Sequence, residues 1–484
     1  MSESLKKNVL TGVIWQYVQK LGTQAVQFIV SIILARLLCP EDFGTIALLG
    51  VFISLSNLLI DSGFGNALIQ RKNIDDIDCS SVFYLNIGVS LIIYLIVFLC
   101  APFVASFYKI PQLTILLRVL SLQIIFMAFG CVQQSMLVRE MKFNLNFYIN
   151  ITGAICSSIT GVCMAYTGFG VWSIVSSQLV GRFCSLIGLW LLVGWRPKVQ
   201  FSFIRIRELF SYGSKILVGS IIIVLYNNLY NIVIGKRYTA ADLGYYNRGQ
   251  LLPNTIIDAA ANSVNGVLFP ALSSLQNDKE RHKMVIRRSE RMISFVVFFL
   301  AAMMFALAPN VISLLLGEKW LPAVPFMRIV CITLSISPIS VLNQSIQTTL
   351  GHSDLFLKTT MWSNIVAIVL IFTGSLVNLY VMVTAGSFAA ISTLIITGSY
   401  NNRLIGYSAR EHISDIAPAI ILSSVTAVVV YLVTLSGINN VLTIIIGGMI
   451  GMCTYSILAY ILKFEAMLFI VENAKAIYKN KLMK

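Results

Sequence analysis

Four charged residues lie deep inside apolar stretches of this 484-residue chain: Lys20, Asp61, Arg182 and Asp258. A charge at mid-membrane costs about 3 kcal/mol on insertion scales, so each should face a bundle interior or a water-filled cavity. Each could otherwise serve as an ion pair or hydrogen bond that holds helices together. Amides accompany them at helical spacing. Gln16, Lys20, Thr23, Gln24 and Gln27 recur at i, i+4, i+7, i+8 and i+11, one face of a helix. Asn254, Asp258, Asn262 and Asn265 form a second such stripe, and Asn57 with Asp61, Asn227 with Asn228 and Asn231, and Asn343 with Gln344 and Gln347 form shorter ones. Lys20 and Asp61 each fall about eight residues, or ~12 Å, from the same edge of their spans, so they can pair. Amide stripes also serve to hydrogen-bond helices to one another, and Arg118 and Arg328, near span ends, can snorkel to the interface.

Covalent chemistry has no comparable signal. The nine Cys are scattered, mostly inside apolar segments and never as C-x-x-C, and read as small packing residues. His282, His352 and His412 are expected in loops without metal-ligand spacing, so no metal, nucleophile or cofactor is assigned. No G-x-x-x-x-G-K-[ST] loop is present, and the longest loops, 195–211 and 273–284, leave no room for a nucleotide-binding domain.

The elements that must position these residues follow from composition. With 57% hydrophobic and 11% charged residues and a mean hydropathy of +0.83, water is not the main solvent. Apolar runs such as Val82 to Phe107 and Val285 to Leu307 are continuous rather than alternating, which selects helices over barrel strands. Spans are expected near 12–37, 43–69, 80–107, 112–136, 145–166, 170–194, 211–235, 246–270, 285–308, 323–349, 357–378, 381–402, 415–435 and 440–462. The fold class is therefore an all-α membrane protein of about 14 transmembrane helices. With the N-terminus inside, most of the 35 basic residues fall in cytoplasmic segments, which places both termini in the cytoplasm. That bias and attraction to anionic membrane lipids account for the net charge of +15 without nucleic acid.

A repeat organises the spans. Residues Ala35 to Gly44 (ARLLCPEDFG) align without gaps to Gly235 to Gly244 (GKRYTAADLG), pairing Arg36 with Lys236, Asp42 with Asp242 and Gly44 with Gly244. Gln134 and Ser135 match Gln344 and Ser345 further along. A period of about six spans gives two copies in one orientation, built as lobes about an axis along the membrane normal. The expected domains are an N-terminal lobe 1–196, a cytoplasmic linker 197–210, a C-terminal lobe 211–408, two further helices in 409–463, and a basic amphipathic tail 464–484.

These features resemble the polysaccharide transporter branch of the multidrug/oligosaccharidyl-lipid/polysaccharide exporter superfamily, near the colanic-acid and O-antigen flippases. The resemblance rests on Arg36, Asp42, Phe43 and Gly44, and on Phe210 to Gly213 (FSYG), Ile234 to Lys236 (IGK) and Leu243 to Tyr246 (LGYY). It implies transfer of an undecaprenyl-diphosphate-linked oligosaccharide from the inner to the outer leaflet by alternating access, with polysaccharide polymerase or assembly partners. Lys20 and Arg182 would then offset part of the desolvation of the diphosphate. Relatives often carry an acidic residue just before the equivalent of Asn231; Tyr230 stands there, which puts cation coupling through that carboxylate in doubt. A cation-coupled drug exporter of the same superfamily is the alternative, kept open by Asp61 and Asp258. A membrane glycosyltransferase or polymerase would need paired carboxylates or a large Arg-rich outer loop, and the chain has no such loop.

Overall fold

Inside a bilayer no water is available to backbone N–H and C=O groups, so each crossing segment must satisfy its own. The computed structural model describes residues 3–61, 65, 68–69, 74–204, 206, 220–276 and 278–468, except for the side chains of 3–14, 16, 17, 61, 258, 261–267 and 269–271. Among the described residues there is helix and no strand. Seven helices come first: α1 (Glu3–Leu37), α2 (Pro40–Asp61), α3 (Asp76–Tyr108), α4 (Leu113–Leu120), α5 (Leu122–Arg139), α6 (Phe143–Tyr166) and α7 (Val171–Leu192). Helical residues 220–227 lead through a turn at Asn228 into α8 (Leu229–Arg237), followed by α9 (Ala240–Ser273). Then come α10 (Lys279–Leu316), α11 (Val324–Thr349), α12 (Ser353–Val377), α13 (Leu379–Ile405), α14 (Ala409–Thr434) and α15 (Asn440–Ile461). Twelve segments of the described residues are long and apolar enough to cross a membrane. The expected seventh span runs into residues outside the description, and the expected eighth is α9, several of whose side chains are outside it too.

Helix boundaries follow local chemistry. Asp75 and Asp78 form a capping box at the start of α3, and Ser408 with Glu411 forms another at α14, where Glu411 Oε2 accepts from Ser408 N at 2.9 Å. α13 starts on Asn378, whose side chain accepts from Val381 N at 2.8 Å, and ends at Gly406 with φ +67°.

The chain forms two compact units, Met1–Gly244 and Tyr245–Lys484. In the first, α6 and α7 pack along small residues, where lipid offers no hydrophobic drive and close backbone approach must supply the attraction. A Cβ on Gly153 would lie 2.8 Å from the Gly181 carbonyl oxygen and 2.1 Å from Ser185 Oγ. α1 packs on α6, and α8 packs on α2, with Leu48 2.1 Å from where a Gly235 Cβ would stand. In the second unit α10 is central and touches α11, α14 and α15. Phe464 to Leu468, the described start of the tail, turns back so that Phe464 and Met467 pack against a cluster of Phe295, Leu422 and Tyr455.

Candidate functional site

Arg182 lies at the middle of α7, eleven residues from Val171 and ten from Leu192, about 15 Å from either end. The face of α7 turned to α6 is occupied by Ser177, Gly181 and Ser185, so Arg182 is directed off that seam and is exposed. Its side chain has no ion-pair or hydrogen-bond partner among the described residues. Lys20, on α1, is likewise exposed with no side-chain partner among them, and Gln24 and Gln27 on the same helix are exposed. An unpaired cation at this depth requires water or an anion beside it. Asn254 on α9 is half-buried; Asn228 donates its amide to the Val224 carbonyl at 2.9 Å and accepts from Asn231 at 3.4 Å. The side chains of Gln16, Asp61, Asp258 and Asn262 lie outside the described residues, as does the expected Lys20–Asp61 pair.

The matched motif residues sit at two helix starts that cross. Asp42 Oδ2 accepts from Cys39 N at 3.0 Å, and Asp242 Oδ2 accepts from Thr239 N at 3.1 Å and Thr239 Oγ1 at 2.7 Å. Each carboxylate thus closes the first turn of α2 or α9, where the helix dipole also favours it. A Cβ on Gly44 would fall 1.7 Å from the Ala240 oxygen, and one on Gly244 would fall 2.0 Å from the Pro40 oxygen. Lys236 donates to the Phe107 carbonyl at 2.7 Å, and Arg36 is exposed at the end of α1.

Arg118 and Arg328 serve a different purpose from the expected snorkelling. Pro102 interrupts α3 and cannot donate to the Phe98 carbonyl four residues earlier; Arg118 Nε donates there instead at 3.2 Å, its guanidinium 4.1 Å from the Phe98 ring centroid. Pro309 does the same to α10, and Arg328 Nε supplies the Phe305 carbonyl at 3.2 Å, 5.3 Å from that ring. The tenth-span amides are also internal ties: Asn401 donates to Asn343 Oδ1 at 3.0 Å and Thr359 to Gln347 Oε1 at 2.9 Å, all four residues buried.

A buried ionic network at the starts of α10 and α14 corrects the placement of two histidines in loops. His282 and His412 lie on α10 and α14 and are buried, because each finds a partner there: Thr349 Oγ1 at 3.2 Å from His282, and Glu290 at 2.8 Å from His412 Nδ1. Tyr407 OH lies 2.9 Å from Asp415 and 3.1 Å from Glu290. Burial, then the charges of Glu290 and Asp415, push its phenol far above the ordinary range, so it stays a donor. Asp415 accepts from Arg287 Nε at 2.7 Å and Arg291 Nη2 at 2.6 Å. The signal was present as Arg287 with Arg291 and Glu411 with Asp415 at i, i+4, but which helix faced which was not.

A family described as polysaccharide biosynthesis protein matches residues 33–325. The succinoglycan biosynthesis transport protein ExoT of Rhizobium meliloti (strain 1021) is 30% identical over 339 residues, 68% of this chain and 67% of its own. The lipopolysaccharide biosynthesis protein WzxC of Escherichia coli (strain K12) is 23% identical over 436 residues, 88% of each chain. The solved structure of lipid II flippase MurJ in an inward closed conformation has the same fold, with a TM-score of 0.73 at 14% identity over 93% of this chain and 99% of that one. Matched over more than half its length, and alike in fold over nearly all of it, the chain belongs to the polysaccharide biosynthesis protein family as a multi-pass membrane transporter.

Proposed function

We propose that this protein is an inner-membrane flippase, with both termini cytoplasmic, that moves a polyprenyl-diphosphate-linked oligosaccharide repeat unit to the outer leaflet by alternating access of two lobes. Arg182 carries this reading: a mid-span guanidinium, exposed and unpartnered among the described residues, is the group a diphosphate needs when it leaves water. Lys20 adds a second cation, and Gln24, Gln27 and Asn254 supply donors suited to sugar hydroxyls. The roles of the similar proteins, succinoglycan transport and lipid II flipping, support the same substrate class. Asp61, Asp258, Gln16, Asn228 and Asn262 remain proposed members of the cavity.

Charge-assisted hydrogen bonds contribute roughly 1.5–3 kcal/mol, so Arg182→Ala is expected to lower flipping of the lipid-linked repeat unit about tenfold or more. Lys20→Ala should act in the same direction, and Arg182→Lys should recover part of the rate. Membrane level of each variant, read by immunoblot of the membrane fraction, should equal wild type. Unchanged surface polysaccharide in both alanine variants would remove these cations from the mechanism.

A further inference from the structure

An open cavity of about 430 Å³ lies along the first turns of α10, lined by Glu280, Lys283, Met284, Arg287, Arg288 and Arg291, with Glu465 of the tail on one side. Four cations and two carboxylates line it, while Asp415 and Glu411 stand behind the cations, Glu411 pairing with Lys283 at 3.0 Å. Two of the cations are held in place from behind, since Asp415 fixes Arg287 through Nε and Nη2 and Arg291 through Nε and Nη2. Their outer nitrogens are directed away from that anchor: Arg291 Nη1 meets Glu465 at 3.1 Å, and Arg287 Nη1 is 3.8 Å from Glu411, beyond hydrogen-bond length. Arg288, its side chain 51% exposed, reaches Glu465 at 3.4 Å. Such an arrangement is a pre-set fork for an anion, closed on one side by a carboxylate from the tail.

We infer that this cavity binds the phosphodiester headgroup of an anionic phospholipid of the leaflet at this end of α10, a site separate from the transported substrate. Depth favours a lipid over a soluble anion. The basic turns end at Arg291, and an apolar run begins with Met292 and continues to Leu307 on the same helix. Met284, 68% exposed, stands among the cations, and the tail residue Leu468 is also exposed. A mixed basic and apolar rim is what the headgroup level of a membrane requires, and each nearby basic residue attracts an anionic leaflet by about 1 kcal/mol. Glu465 competes with the phosphate for Arg288 and Arg291, so lipid occupancy and the seating of the tail are linked.

The full-length protein in detergent is titrated with phosphatidylglycerol, phosphatidylcholine and inorganic phosphate, following the thermal midpoint and the lipid retained in native mass spectra. Phosphatidylglycerol is expected to bind about tenfold more tightly than phosphatidylcholine, and Arg288→Gln to reduce that preference about fivefold. Glu465→Gln, which removes the competing carboxylate, should tighten binding; a merely structural Glu465 would loosen it. Arg288 is half exposed, so its variant is expected to fold. Equal binding of the two lipids, an unaltered preference in Arg288→Gln, or a midpoint shift reproduced by inorganic phosphate alone would overturn the inference. No transport is measured, so failure here leaves the flippase reading standing.

Discussion

At the residue scale, two arginines whose place near span ends suggests snorkelling bond to backbone carbonyls left open by prolines. A proline inside a helix removes one donor, and in hydrocarbon the orphaned carbonyl has no water to turn to. Arg118 answers Pro102 at the Phe98 carbonyl, and Arg328 answers Pro309 at the Phe305 carbonyl. Arg118→Met should therefore cost about 1–3 kcal/mol, the penalty for leaving a buried acceptor unmade. Pro102→Ala in that background returns an N–H to the Phe98 carbonyl, so the double variant should regain most of the loss. A thermal-denaturation double-mutant cycle in detergent measures the coupling; strictly additive effects would show that Arg118 acts elsewhere. Both residues of each pair are plain in the sequence, yet their partnership is not, because it joins neighbouring helices whose rotation no periodicity specifies. Arg182 shows the opposite case: its depth could be read from the apolar run around it, and the structure leaves it exposed and without a partner among the described residues.

At the element scale, the matched motifs Ala35 to Gly44 and Gly235 to Gly244 are the crossing of two helix starts, α2 and α9. Asp42 and Asp242 cap first turns, and the glycines let one backbone rest on the other. Gly44→Ala places a methyl 1.7 Å from the Ala240 oxygen, a backbone atom that no rotamer change can move. It should destabilise by about 3 kcal/mol, the upper end for overpacking, whereas Gly50→Ala, with open space around the added Cβ, should be close to neutral. Folded yield by fluorescence-detected gel filtration separates the two; equal yields would mean that α2 and α9 shift apart at no cost. The match of the two segments was legible from spacing, but the purpose of their residues was not. Loop-like composition hid a close contact that depends on what a side chain lacks. The buried network of Glu290, His412, Tyr407 and Asp415 escaped for a related reason: its members come from α10, α14 and the turn between α13 and α14, far apart in the chain.

At the scale of the whole molecule, the Pro–Arg device recurs in α3 with α4 and in α10 with α11, once in each compact unit, as a repeat of the two halves would have it. The all-helical membrane fold class was readable because bilayer thickness and backbone satisfaction leave few choices. With a negative cell interior, each net negative charge carried outward gains about 2.3 kcal/mol per 100 mV, so a diphosphate with its two charges gains roughly 4–5 kcal/mol. Lys20 and Arg182 belong to helices of the protein and do not leave with the substrate, so they do not cancel that gain over a full cycle. In vesicles of inside-negative potential, export of a lipid-linked diphosphate should slow when valinomycin and matched potassium collapse the potential, and should persist when nigericin collapses the pH gradient alone. The reverse pattern would mean that a proton, not the field acting on the substrate, drives the cycle, and Asp61 and Asp258 would then be the first carboxylates to neutralise.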